Sequence, residues 1–153
     1  TVQNNFAIPH YGVRDVTSDY TASSIMTRYK ADWRYAIVEV GTTKMPTQDG
    51  MWPAIWMQPS DRIPGVGEMD IVEIPIENGI LSNRTIYNAH ATTHWGTTYG
   101  DEDSQVGHHQ KGSIAEYSNG SFANSANIFS LDWDQNKVNY TVSAGPYRGK
   151  GAF

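Results

Sequence analysis

Short runs of β-branched and aromatic residues alternate along the chain with clusters of turn-forming residues. No segment sustains the apolar periodicity of an amphipathic helix. The runs predict strands at residues 20–27, 35–40, 52–57, 68–74, 85–94, 128–133 and 137–142. Strands at this spacing, with no helices between them, are typical of an antiparallel β-sandwich or barrel. The pattern therefore predicts an all-β fold.

The stretch from residue 96 to residue 127 is rich in Gly, Ser, Asn and Asp, which favour turns. We expect most of it to be loop, with one short strand near residues 114–117. Because long loops on a rigid sheet often carry binding groups, this stretch is a candidate source of ligand contacts.

One predicted strand carries three carboxylates among apolar residues, in the run Gly-Glu-Met-Asp-Ile-Val-Glu. In an extended strand successive side chains alternate between faces, so Glu68 and Asp70 share a face and Glu73 points the opposite way. A β-bulge around Ile71 and Val72 would place two residues opposite one on the neighbouring strand and return Glu73 to the face of the other acids. We predict this bulge, because it gathers on one face three acids that a buried strand should otherwise not carry.

The spacing of the two glutamates suits catalysis. With the bulge counted out, Glu68 and Glu73 are four strand steps apart, about 13 Å at roughly 3.3 Å per residue. Inward-leaning side chains can bring the carboxylates to about 5–6 Å, the spacing of retaining glycosidases, whereas inverting enzymes need about 6.5–9.5 Å. At about 5 Å and an effective dielectric near 20, the two charges repel by roughly 3 kcal/mol, or about two pKa units. We therefore expect one glutamate to stay protonated near neutral pH beside a charged one.

Two other uses of clustered acids stay open. Carboxylates are common on solvated strand faces, although the apolar partners Met69, Ile71 and Val72 indicate a strand that is covered on its other side. Calcium sites also use clustered carboxylates.

The composition narrows the class of ligand. The chain has 153 residues, which is single-domain size, with 18% charged and 12% aromatic residues. Aromatic faces stack on pyranose rings, and amides and hydroxyls pair with sugar hydroxyls, so such a surface suits polysaccharides. A formal net charge of −5 without a cluster of Lys and Arg argues against nucleic acid or an anionic membrane as a partner. No apolar run approaches membrane-spanning length.

The chain contains no cysteine, which excludes disulfides and thiol chemistry and fits either redox compartment. N-glycosylation sequons at Asn83, Asn119 and Asn139 are compatible with a secreted protein, although such triplets also arise by chance in sequences rich in Ser and Thr. We expect a secreted, extracellular protein.

Three motifs follow one another along the chain: Trp-Pro-Ala-Ile-Trp-Met at 52–57, Glu-Met-Asp-Ile-Val-Glu at 68–73 and His-Trp-Gly at 94–96. In order and spacing they resemble glycoside hydrolase family sixteen, most closely its laminarinase-like members, which are endo-β-1,3-glucanases. The resemblance covers about residues 20–142. It implies a concanavalin-like β-jelly roll of two stacked sheets, with a sugar-binding cleft across the concave sheet. It also implies retaining hydrolysis of a β-1,3-linked glucan, a laminarin-like polysaccharide, by double displacement.

The same resemblance assigns roles to the three acids. Glu68 would be the nucleophile that forms the glycosyl-enzyme, and Glu73 would be the acid that protonates the leaving oxygen. Asp70 would hydrogen-bond to the nucleophile and hold it, while modulating the proton affinity of the pair. The two residues between Asp70 and Glu73 match the laminarinase-like members, whereas the lichenase pattern has no bulge.

The candidate substrate-binding residues are aromatic side chains and one histidine. Trp52 and Trp56 are four residues apart, so in a regular strand they share a face and could form a stacking floor for two sugar units, with core packing as the alternative. The resemblance gives His94 a contact with a substrate hydroxyl or with the neighbourhood of the nucleophile; otherwise it is an ordinary histidine at a strand end. Trp95 and Trp33 are candidate walls of the cleft, with core or surface packing as the alternative for each.

No cofactor is expected. His108 and His109 are adjacent, so in a strand they point to opposite faces, which disfavours a catalytic zinc. Asp101, Glu102 and Asp103 form a short acidic run that could contact a structural calcium, as in some family members, or form a solvated turn.

The chain departs from the family pattern in two places. It ends at Phe153, whereas the pattern of the family continues through strands that complete both sheets. We therefore expect residues 1–153 to be a single glycoside hydrolase domain or the N-terminal and central part of one. In an incomplete jelly roll, the missing strands would leave exposed edges or come from a second chain. The segment Val-Gly-Thr-Thr at 40–43 offers no clear counterpart to a family arginine that contacts substrate.

Three rival functions stay open beside hydrolysis of β-1,3-glucan. A non-catalytic β-glucan recognition module has the same fold, but such relatives lose the glutamates that this chain keeps. A transglycosylase differs in whether water or a sugar hydroxyl resolves the intermediate. Other hydrolases on the scaffold act on agar-type, carrageenan-type or mixed-linkage polysaccharides.

Overall fold

The computed structural model describes residues 22–27, 29–46, 50–60, 67–76, 88–96, 108–116, 122, 125–143 and 145–146. At residues 96, 108, 109, 145 and 146 it describes the backbone but not the side chains. The chain divides into two compact units, Thr1–Ala31 and Asp32–Phe153.

In the first unit the described residues form a turn and no strand. The carbonyl of Thr27 accepts hydrogen bonds from the backbone N–H groups of Lys30 at 2.8 Å and of Ala31 at 3.0 Å. The strand predicted at 20–27 is therefore wrong over residues 22–27, all of which are exposed. A β-prone run becomes a strand when a neighbouring strand pairs with its backbone, and the described residues of this unit form no such strand.

The described part of the second unit contains eight strands in two antiparallel sheets. The strands are β1 (Ile37–Thr42), β2 (Ala54–Met57), β3 (Glu68–Glu73), β4 (Asn88–Gly96), β5 (His108–Glu116), β6 (Asn127–Trp133), β7 (Val138–Val142) and β8 (Gly145–Pro146). The first sheet has the order β1-β6-β7-β8, and the second sheet has the order β2-β3-β4-β5. The prediction of an all-β antiparallel sandwich is confirmed. The described residues form no helix, and hence none long and apolar enough to cross a membrane.

The strands differ from the sequence pattern mainly within residues 96–127. There β5 is nine residues long and pairs with β4 along its whole length, whereas the composition predicts a loop with a short strand near residues 114–117. The His, Gln, Lys and Gly residues of β5 have low β propensity, but pairing with β4 supplies the backbone hydrogen bonds that decide its state. The two-residue strand β8 is likewise formed by pairing with β7 and has no signal of its own.

The hydrophobic core lies between the two sheets. Alternation along β6 and β7 directs Phe129, Leu131 and Tyr140 inward from the first sheet. The second sheet faces them with buried apolar side chains of β3, β4 and β5, namely Ile71, Val72, Ala89, Ala91 and Ala115. The inner face of the second sheet is therefore committed to the core, and its outer face carries the polar side chains.

Hydrogen bonds of the Tyr140 hydroxyl join β7 of the first sheet to β4 of the second sheet, on the core side of the second sheet. The hydroxyl of Tyr140 donates to the carbonyl of Thr92 at 3.1 Å, and its oxygen lies 2.6 Å from Oγ1 of Thr93. Because a phenol has one proton, the Thr93 hydroxyl is the donor of the shorter bond. Burial raises the pKa of Tyr140 to about 12. This bond ties β7 to β4 at the residue that precedes His94.

Candidate active site

A β-bulge in the middle of β3 decides which face its acids take. Against β4, Asp70 pairs with Thr92 and Glu73 pairs with His90, so three steps along β3 span two steps along β4. Against β2, the register shifts within the same interval of β3. The bulge that the sequence predicts between Asp70 and Glu73 is confirmed.

Burial shows how the bulge sorts the side chains of β3. Ile71 and Val72 are consecutive, yet their exposed fractions are 1% and 0% and both belong to the core. Two successive side chains on one face reset the alternation of the strand, so Glu73 returns to the face of Glu68 and Asp70. All three acids therefore lie on the outer face of the second sheet, opposite the core.

Asp70 is the buried acid of the three, with a side chain that is 4% exposed. Its Oδ2 lies 3.0 Å from Nε2 of His94 on β4. A carboxylate only accepts hydrogen bonds, so Nε2 of His94 carries a proton and donates it. The bond to Asp70 is the main cause that raises the pKa of His94, and the charges of Glu68 and Glu73 act in the same direction. Partial burial of His94 opposes them. The imidazole of His94 therefore holds its second proton to higher pH than an ordinary histidine does, in the middle of an acidic face.

Glu73 accepts a hydrogen bond on Oε1 from Nε1 of Trp52, at 2.9 Å. Burial is the main cause that raises the pKa of Glu73, and the charge of Asp70 is the second. The Trp52 bond and the charge of His94 lower it, and Glu68 makes the smallest contribution, which raises it. The expected direction is thus confirmed for Glu73. The prediction that repulsion by Glu68 is the main cause of this raised pKa is wrong. Burial contributes most, and the charge that contributes next is that of Asp70, which lies between the two glutamates.

Glu68 accepts a hydrogen bond on Oε2 from Nε2 of Gln58, at 3.1 Å. Gln58 follows β2, and the sequence analysis missed it as a functional residue. A signal was available, because Gln58 lies two positions after Trp56 and therefore on the same face of an extended segment. Each of the three acids thus has a donor of its own: Trp52 for Glu73, His94 for Asp70 and Gln58 for Glu68.

The two tryptophans of the first motif lie on the face of the acids. Trp56 pairs directly with Asp70 in the β2–β3 ladder and is 44% exposed. Trp52 contacts Glu73 and is 59% exposed. The prediction that they share a face is confirmed, and core packing is excluded for both. Their contact with sugar stays a prediction.

Trp95 and Trp33 are placed differently. Trp95 follows His94 in β4, so strand alternation directs it to the opposite face, where it is 44% exposed. Trp33 is 51% exposed and lies ahead of β1 in the first sheet, two residues before Tyr35, whose ring packs edge-on against Trp133 at 5.3 Å. Strand geometry puts neither among the acids, and their role as walls of a cleft stays a prediction.

Three side chains of the face form a set of possible metal ligands. The ligand atoms of Glu68, Asp70 and His94 lie within 4.8 Å of one another. Oxygen and imidazole nitrogen suit several divalent cations, but Nε2 of His94 already donates to Asp70, so an ion would have to displace that proton. The acidic run at 101–103 and the side chains at 108–109 lie outside the described residues, so a structural calcium stays a prediction.

The arrangement combines the groups that glycoside hydrolysis needs. Glu73 holds its proton to higher pH than an ordinary glutamate, and Glu68 is a second carboxylate fixed by an amide donor. Glycosidases use a protonated carboxyl beside a second carboxylate, and the separation of about 5–6 Å that a retaining mechanism requires stays a prediction. The exposed indole rings of Trp52 and Trp56 provide flat apolar surfaces on which sugar rings can stack.

Known proteins that are similar to this chain include glycoside hydrolases and a glucan-binding protein. The family model described as Glycosyl hydrolases family 16 matches residues 3–150. Glucan endo-1,3-beta-glucosidase A1 of Niallia circulans is 28% identical over 131 residues, which are 82% of this chain and 17% of that protein. Beta-1,3-glucan-binding protein of Penaeus monodon is 32% identical over 136 residues, which are 84% of this chain and 34% of that protein.

Among solved structures, a glycoside hydrolase family 16 endo-glucanase from Bacteroides ovatus superposes with a TM-score of 0.63 at 25% sequence identity. The match covers 82% of this chain and 50% of that chain. The present chain therefore spans half or less of the length of each of these three proteins.

Proposed function

The chain belongs to glycosyl hydrolase family 16, and from this premise we propose that it is a retaining endo-hydrolase of β-1,3-linked glucan in which Glu68 is the nucleophile and Glu73 the acid and base. The observation that carries the proposal is the bulge in β3, which brings both glutamates to one face of the second sheet. The similarity to a glucan endo-1,3-beta-glucosidase supports the choice of substrate.

In the first step, the carboxylate of Glu68 would attack the anomeric carbon while Glu73 gives its proton to the glycosidic oxygen. The bond to the leaving sugar breaks as the glycosyl ester forms. In the second step, the ionised Glu73 would take a proton from water, whose oxygen attacks the anomeric carbon and releases Glu68. The burial of Glu73 and its neighbour Asp70 favour the protonated form that the first step needs.

Asp70 and His94 would act on this chemistry through position and charge. Asp70 lies between the glutamates along β3 and is held by His94 from β4. A buried carboxylate at this point raises the pKa of Glu73 and so favours its acid form. The imidazole of His94 limits this effect, because its positive charge favours the ionised form of the same glutamate.

The test is hydrolysis of laminarin by the full chain, followed by release of reducing ends. Glu68→Gln and Glu73→Gln should each lower the rate by at least about a thousandfold, because each removes a group that takes part in bond making or breaking. Glu39→Gln is the matched control, since Glu39 is an exposed glutamate of β1 in the other sheet. Unchanged hydrolysis in either site variant would refute the assignment.

The stereochemistry of the product tests the retaining mechanism separately. Proton NMR of the first product should show the β anomer before mutarotation. An activated 2-fluoro glucoside should label the peptide that contains Glu68, and mass spectrometry would locate the label. The α anomer as first product would exclude double displacement.

Glucan binding without hydrolysis is the second candidate, because a relative that is 32% identical is a beta-1,3-glucan-binding protein. Titration calorimetry with a laminarin oligosaccharide distinguishes the two candidates. Heat of binding without release of reducing ends over a day would favour recognition, and release of shorter oligosaccharides would favour hydrolysis. Growth of longer chains at high substrate concentration would indicate transglycosylation. Because polymeric glucan stays outside cells that degrade it, we also propose an extracellular site of action.

A further inference from the structure

The segment that carries Trp52 is fixed to the chain that follows β3. The N–H of Ile74 donates to the carbonyl of Pro53 at 3.1 Å, and the N–H of Ile76 donates to the carbonyl of Met51 at 2.9 Å. These two bonds continue the β2–β3 ladder past its last pair, Ala54 with Glu73. Trp52 therefore lies between two anchored residues, diagonally across from Glu73 and on the same face.

The surroundings of Glu73 give the indole a specific function. Among the described residues, the charged or titratable groups that face Glu73 are Asp70 and Glu68 on its own strand and His94 on β4, and His90 of β4 is its direct cross-strand partner. On the β2 side its partner is Ala54, which carries no polar side chain. On that side, Glu73 contacts a polar group of Trp52 among the described residues: Nε1 of the indole lies 2.9 Å from Oε1 of Glu73.

We propose that Trp52 is a positioning residue for Glu73, whose indole N–H fixes Oε1 and stabilises the ionised carboxylate after it has given up its proton. The inference rests on the proposed function, in which Glu73 is the acid that donates this proton to the leaving oxygen. Because Oε1 accepts from Trp52, the proton of the acid form lies on Oε2, which is then the atom that protonates the leaving oxygen. Trp52 thus acts through Glu73, in addition to any stacking of its exposed ring on sugar.

The tests use two changes at position 52 and one matched control. Trp52→Phe removes the N–H and keeps an aromatic ring, and 3-benzothienylalanine at position 52 replaces the N–H by sulfur and keeps the shape of the indole. Trp56→Phe is the control, because Trp56 is a comparably exposed tryptophan of the same face that makes no side-chain hydrogen bond among the described residues. The exposure of Trp52 makes both changes compatible with folding.

The first readout is the carboxyl ¹³C titration of Glu73, assigned with Glu73→Gln and independent of any activity. A donor to the charged form lowers the pKa of a carboxyl, so its loss should raise the pKa of Glu73 by about one pH unit in both Trp52 variants. Trp56→Phe should leave it unchanged. Equal titration of Glu73 in the wild type and both Trp52 variants would overturn the proposal, as would an equal change in Trp56→Phe.

The second readout is the pH dependence of kcat/KM on laminarin. Activity falls as pH rises through the pKa of the general acid, so the alkaline limb should move to higher pH by about the same amount in both Trp52 variants, whatever happens to KM. An alkaline limb that stays in place would overturn the proposal. If the carboxyl titration moves as expected in a chain that hydrolyses no glucan, the contact between Trp52 and Glu73 is upheld and the proposed hydrolase function is refuted.

Discussion

Replacing His94 by alanine should destabilise the protein through the carboxylate that it leaves behind. Asp70 is 3% exposed, and among the described residues its carboxylate accepts a side-chain hydrogen bond from His94. Removal of one partner of a buried pair typically costs about 3–5 kcal/mol. The side chain of His94 is 23% exposed, so water can enter the space that it vacates. We therefore expect a smaller loss, about 2 kcal/mol in the free energy of unfolding.

The loss should depend on pH. The native pKa of His94 lies above its ordinary value of about 6.5, because Asp70 and the other acids favour the charged ring. A raised native pKa contributes stability that is fully present below the unfolded pKa and is lost as pH rises through the native pKa. His94→Ala should therefore cost more at pH 5.5 than at pH 9.

Urea unfolding of the full chain, followed by tryptophan fluorescence at both pH values, measures these differences. Asp70→Asn is the control background, because an amide left without its partner costs less than a buried charge. In a double-mutant cycle, His94→Ala should cost at least about 1 kcal/mol less beside Asp70→Asn than alone at pH 5.5. A coupling energy below about 0.5 kcal/mol, or an equal cost at both pH values, would refute the interpretation of this pair.

Three further outcomes are expected. Tyr140→Phe should lower the free energy of unfolding by about 1–2 kcal/mol, because it leaves the Thr93 hydroxyl and a backbone carbonyl without their partner. In the wild type, the absorbance at 295 nm should contain a component that titrates near pH 12 and is absent from Tyr140→Phe. Glu73→Gln should be more stable relative to the wild type at pH 9 than at pH 5, because the native pKa of Glu73 is raised and its ionisation costs stability above it; a thermal unfolding series that shows the opposite trend would contradict this. Phe129→Ala should cost about 3–5 kcal/mol in urea unfolding, because Phe129 is fully buried between the sheets, and a cost under about 1 kcal/mol would show that the core lies elsewhere.

The shape of β3 was predictable from its own residues. Ile71 and Val72 are adjacent and apolar, and three acids flank them, so no regular strand can bury the apolar pair and keep the acids together. The conflict lies within six residues and has one local solution, the bulge that the ladder contains. The common face of Trp52 and Trp56 was predictable in the same way, because a separation of four residues sets it, whereas their exposure was not.

Other features depended on neighbours far along the chain. Residues of β5 carry little strand signal and become a strand because β4 lies beside them. The donor to Glu73 is 21 residues away in sequence, and the donor to Asp70 is 24 residues away. The leading cause of the raised pKa of Glu73 is burial, which no local pattern reveals.

The sequence by itself determined the fold class, the bulged strand and the face on which its acids meet, because alternation and local burial act within a single strand. The tertiary structure alone decided the order of the strands, the donors that hold each acid and the balance of charges that sets the proton affinity of Glu73. These depend on distances between side chains of different strands, and such distances exist only once the two sheets have packed.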